Sequence, residues 1–158
     1  MNKEKSIEVL NTLIEINNDR IAGYETASKE TEEVDLKSLF LGLKQTSEKC
    51  NIELINEVVK LDGKPTEGTK TTGKLYRMWM DIKSALTGRD RKAILTSCEF
   101  GEDMAVDTYQ KALRDNLSDI TADQQTLINI QLGQIKAGHD KVKNLRGALV
   151  EAKSIIKN

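Results

Sequence analysis

Gly63-Lys64-Pro65-Thr66-Glu67-Gly68-Thr69-Lys70-Thr71-Thr72-Gly73, followed by Lys74-Leu75-Tyr76-Arg77-Met78-Trp79-Met80-Asp81-Ile82-Lys83-Ser84-Ala85-Leu86-Thr87-Gly88, decides the fold. The first part carries three glycines, the only proline and four threonines, so it is a loop. The second has apolar residues Leu75, Trp79, Ile82 and Leu86 at helical spacing, and Thr87-Gly88 ends it. On either side lie two long helical hairpins. The connection between them is too long for a tight turn. It has the length to carry the chain back along the bundle, so the pattern predicts one domain over 1–158. That domain is an all-α, ferritin-like four-helix bundle with one long crossover containing a short helix.

Working outward, a helix is predicted from about Lys3 to Glu30, carrying Ile7, Leu10, Ile14, Ile21 and Tyr24. A second begins with Asp35 as its N-cap and carries Leu36, Leu39, Phe40, Leu43, Cys50, Leu54, Val58 and Leu61. Gly63 and Pro65 stop it. Asp90 caps a third long helix reaching Arg114, and Asn116 to Ser118 turn the chain. Thr121 and Gln124 have capping-box spacing and open the fourth, which runs through Ala152 and Ile156.

Composition suits such a bundle. The chain has 158 residues, 31% charged and 4% aromatic, with a net charge of −1. With no basic excess it lacks the electrostatic footprint of a nucleic-acid binder. No apolar run approaches the ~20 residues of a membrane span. The N-terminus has no signal-peptide pattern, so a cytoplasmic, bacterium-like setting is expected. Cys50 and Cys98 fall on core faces and read as reduced, buried thiols. A disulfide or a metal thiolate pair is the alternative, though neither cysteine has CxxC spacing. Dinucleotide, P-loop and Ser–His–Asp motifs are missing.

Each long helix turns polar near its middle on the face that should be buried. Asn17 and Asn18 interrupt the first helix and Glu102 the third; Gln131, Gln134 and His139 interrupt the fourth. Unpaired polar groups there cost a few kcal/mol each, so the layer is hydrogen-bonded or holds something. Di-metal bundle sites use about four carboxylates and two histidines, with Glu-x-x-His on two helices. Here the one histidine, His139, follows Lys136 by three, and Asn51 stands where the second-helix histidine belongs. The main reading is a hydrogen-bonded layer in which Glu102 accepts from Gln131, Gln134, Asn17 or His139, with Ser47 or Asn51 completing it. The alternatives are a small-molecule site or a degenerate metal site. The latter would centre on Glu102 and His139, with Glu99 and Asp19 nearby, and hold iron or another divalent metal.

Met78-Trp79-Met80, flanked by Tyr76, has two readings as well. Its apolar face covers the bundle, or it forms a surface for a second copy of the chain through Tyr76, Met78, Trp79 and Met80. The burial of Tyr76, Met78 and Met80 separates the two.

Four runs carry a resemblance: Asn17 to Tyr24, Trp79 to Gly88, Cys98-Glu99-Phe100-Gly101-Glu102-Asp103 and Ala137-Gly138-His139-Asp140. From about Ile7 to Leu149 the chain resembles an uncharacterised bacterial family of ferritin-like four-helix bundles, a domain of unknown function. The resemblance implies the bundle fold. The wider ferritin-like group includes iron stores and di-iron oxidases, but their ligand pattern does not carry over: Glu102 matches one carboxylate position, His139 stands near but off register, and the second-helix histidine is missing. The expectation is a non-enzymatic, self-associating bundle with a structural or stress-related role. The alternative is a metal-binding oxidoreductase or iron-handling protein.

Overall fold

The computed structural model describes residues 2–69 and 73–157, with 149–157 as backbone only. All its regular structure is helical: α1 Lys3–Glu30, α2 Val34–Lys60, α3 Gly73–Thr87, α4 Arg91–Asp115 and α5 Ala122–Lys157, with a 3-10 turn at Leu117–Asp119. Thr71 and Thr72 of the crossover lie outside the described residues.

The helix starts follow local chemistry. Asn2 accepts from Lys5 N and Asp90 from Ala93 N, each satisfying an amide left unpaired at a helix start. Thr121 and Gln124 form the reciprocal capping box, at 3.0 and 3.1 Å. One expectation fails. Glu33 takes the cap position of α2 without a side-chain bond, and Asp35 lies inside the first turn. The Asp35 carboxylate is instead clamped by the Arg91 guanidinium, at 2.5 and 3.1 Å. Asp35 Oδ1 also accepts from Leu36 N at 3.0 Å.

Two helix ends also differ from expectation. The left-handed residue after α2 is Asp62 and after α3 Arg89, at φ 59° and 55°, each adjacent to the glycine expected there. Both ends close by the paired bonds of a Schellman motif, Gly63 N to Val58 O and Asp62 N to Val59 O, then Asp90 N to Ala85 O and Arg89 N to Leu86 O. Gly63 serves by its size: a Cβ there would lie 2.8 Å from Ile7 Cδ1.

Contacts fix the helix directions. Ser6 of α1 donates to Asp119 O beyond the end of α4, while Arg91 at the start of α4 pairs with Glu33 and Asp35 at the other end. Thus α1 and α4 are antiparallel. Gln131 bonds Cys50 O, and Gly138 meets Leu43, so α2 and α5 are antiparallel too. It follows that α2 and α4 point the same way, and the connection returns the chain the length of α2, ~40 Å at 1.5 Å per residue. Two asparagines on one face of α1 strap it down. Asn11 accepts from Thr66 N at 3.0 Å and donates to Lys64 O, and Asn18 donates to Gly68 O at 2.8 Å.

The connection's helix, α3, then packs on α1 and α4. Its buried residues are Leu75, Met78, Ile82 and Ala85; Trp79 and Leu86, expected in this face, are half-buried. The rotation follows from two notches. Met78 fits against Gly101 of α4, and the Trp79 ring lies on Gly23 of α1; a Cβ at either glycine would overlap it. Trp79 also meets Tyr24 edge-on, at 5.3 Å and 84°. Tyr76 and Met80 remain 62% and 47% exposed, whereas Met78 is 3% exposed. The short helix therefore both covers the bundle and offers an apolar edge. Among the described residues no helix is long and apolar enough to cross a membrane.

Candidate functional site

The middle of the bundle holds a buried ion pair. Arg20 of α1 and Glu102 of α4 are 3% and 0% exposed. Arg20 Nε donates to Glu102 Oε2 at 2.9 Å and Nη2 to Oε1 at 2.7 Å, a two-pronged match of guanidinium and carboxylate. Its third nitrogen, Nη1, donates to Ser47 Oγ of α2 at 2.6 Å. The guanidinium lies 5.9 Å from the Tyr24 ring centre. Gly138 lets α5 come close: a Cβ there would lie 2.8 Å from Leu43 Cδ2 and 3.4 Å from Glu102 Oε1. All four long helices thus meet at this pair. Burial works against the charge on Arg20, but Glu102 more than offsets it, so Arg20 stays protonated.

A neutral chain runs beside the pair. Asn17 Nδ2 donates to Tyr109 OH at 2.8 Å, the hydroxyl donates to Gln131 Oε1 at 2.7 Å, and Gln131 Nε2 donates to Cys50 O at 3.1 Å. Burial holds the Tyr24 and Tyr109 phenols far above their usual range. It also raises the Cys98 thiol and pushes Cys50 up to about 11. Around the buried pair, the Tyr24 and Tyr109 phenols and the Cys50 and Cys98 thiols are thus held neutral.

The four residues expected to form a metal site do not gather into one. Glu102 is taken by Arg20. His139 sits near the surface, with Nε2 2.5 Å from Asp103 and Nδ1 3.3 Å from Asp140. Partial burial disfavours its charge, but Asp140 and Asp103 outweigh this and raise its pKa above the ordinary histidine value. Glu99 pairs with Arg146 of α5. Asp19 lines the cleft between α1 and α3. No group of three or more His, Cys, Asp or Glu side chains suited to a metal occurs among the described residues. The donors expected for Glu102 also differ: Gln131 serves Tyr109 and Cys50, Gln134 accepts from Cys50 Sγ, and Asn17 donates to Tyr109 OH and Leu13 O.

Residues 5–115 match the family described as Domain of unknown function (DUF2383). The chain belongs to that family. The resemblance read from the sequence reached Leu149; the DUF2383 match ends with α4. It therefore contains Arg20, Ser47 and Glu102 but not the α5 residues Gln131, Gly138 and His139. No curated protein matches the chain.

Sequence reasoning passed over Arg20, the residue that decides what this DUF2383 centre is. The signal was present. Leu13, Asn17, Arg20, Tyr24 and Ala27 follow the three-four rhythm, and all are buried. An arginine in that rhythm must find a carboxylate, because an unpaired buried charge is far costlier than a neutral group.

The surface clefts lie elsewhere. One of about 280 Å³ runs between α1 and α3 along Gly23, Thr26, Tyr76, Trp79 and Met80. Another of about 300 Å³ lies between α1 and α4 at Lys5, Thr12, Thr108 and Lys111. Neither is lined by Glu102, Arg20 or His139.

Proposed function

We propose that this DUF2383 protein is a non-catalytic, ferritin-like bundle, bacterial and cytoplasmic, with a structural or stress-related role, that associates with copies of itself. The observation carrying the non-catalytic part is that both oxygens of Glu102 are held by Arg20. A carboxylate so engaged, and sealed from solvent, is neither a free general base nor an open ligand. The up-down-down-up helix order and the long crossover support the ferritin-like assignment. The metal-dependent alternative needs Glu102 and His139 to act together, and their present partners give it no support.

The self-association part rests on the edge of α3. Tyr76 and Met80 are exposed beside the apolar cleft that Trp79 lines, and adaptable methionine and aromatic side chains are enriched at interfaces. Light scattering of the purified chain should give a mass above the monomer, lowered by Tyr76→Ser together with Met80→Ser. A strict monomer at high concentration would remove this part. Iron(II)-dependent oxygen uptake by the wild type, lost in Glu102→Gln, would remove the non-catalytic part.

A further inference from the structure

We infer that Arg20 is the resident cation of this buried centre: its guanidinium occupies the place a metal would need against Glu102, so the centre takes no divalent metal and, with Arg20 cut back, accepts a free guanidinium ion. This deepens the non-catalytic reading and rests on it. Three observations carry it.

First, the slot is shaped for a planar, monovalent cation. Two parallel contacts reach Glu102, a third reaches Ser47 Oγ, and the Tyr24 ring borders the group. This is the forked geometry of a guanidinium rather than the convergent oxygens a hard dication needs. Second, the charge is already balanced. Glu102 contributes one negative charge and Arg20 one positive, while Tyr24 and Cys98 beside them are held as phenol and thiol. A dication added to the intact pair would sit beside the Arg20 charge; one that displaced it would leave uncompensated positive charge in a dry interior, which is costly. Third, on the α5 side the pair meets Gly138, where even a Cβ would lie 2.8 Å from Leu43 Cδ2 and 3.4 Å from Glu102 Oε1.

The test uses the full chain. Arg20→Ala is melted in guanidinium chloride at low millimolar concentration, far below denaturing levels, against equal sodium chloride and equal urea. A saturable rise is expected with guanidinium alone, about 3 to 6 °C at ten times its dissociation constant. Wild type and the double variant Arg20→Ala/Glu102→Gln should show none. If Arg20→Ala does not fold in buffer, guanidinium-dependent recovery of its helical circular dichroism is the same result. No guanidinium-specific response by either readout overturns the inference. So does wild type that retains one equivalent of iron(II), manganese(II) or zinc(II) after dialysis and loses it in Glu102→Gln. Iron-dependent oxygen uptake that is lost in Glu102→Gln overturns both this inference and the functional reading, whereas uptake that persists in Glu102→Gln overturns the functional reading alone.

Discussion

Gly23→Ala asks whether α3 is held where the notch on α1 places it. A Cβ at Gly23 would overlap the Trp79 ring, a rigid body that cannot yield as a flexible chain end would. The ring must move, and α3 with it. Losing the edge-on contact with Tyr24 costs ~0.5–1.5 kcal/mol, and re-exposing part of the indole ~1–2 kcal/mol more. Alanine returns ~1 kcal/mol of helix propensity. The net destabilisation is about 0.5–2.5 kcal/mol, or ~1–10 °C in melting temperature at this chain length. The assay is intrinsic fluorescence, because Trp79 is the only tryptophan in the chain. Its emission should shift to longer wavelength as the ring moves into water, and energy transfer from Tyr24 should fall. Unchanged emission together with an unchanged melt would falsify the docking of α3 through this notch.

Three further outcomes follow from named contacts. Glu102→Gln leaves Arg20 buried without its counter-charge and should cost ~3–5 kcal/mol, read as a lower urea midpoint; near-wild-type stability would mean the pair is solvated. Gly42→Ala in α2 meets nothing within 4 Å and should stabilise by ~0.5–1 kcal/mol, a gain in melting temperature that a loss would contradict. His139 has a raised pKa in the fold, so its stabilising charge is complete below the ordinary value of ~6.5 and disappears as pH climbs through the raised one. With Asp103 and Asp140 largely exposed the effect stays under ~1 kcal/mol. His139→Gln should accordingly flatten the decline in melting temperature between pH 6 and 8, and an equal decline in both proteins would refute the coupling.

The sequence by itself determined the five helices, most of their ends and the long crossover. These follow from periodicity, capping residues and loop composition, interactions within a few residues of each other. Thr121 with Gln124 is legible because both partners lie in one turn. It also marked the polar layer, since Asn17, Glu102 and Gln131 break an apolar rhythm on their own helices. Tertiary structure decided what that layer is. Arg20 and Glu102 are far apart in the chain, and nothing local selects Arg20 over Gln131 as the partner. Asn17 and Asn18 are neighbours, yet one bonds Tyr109 in the core and the other the crossover loop. His139 shares the buried rhythm of its helix but ends near the surface with Asp103. The face of α3 turned from Trp79 toward Met78 because Gly101, on another helix, has no side chain to exclude it. Helix periodicity fixes which side of a segment is buried; which buried groups then meet depends on how four helices are rotated against one another, and packing and charge pairing across the bundle set that.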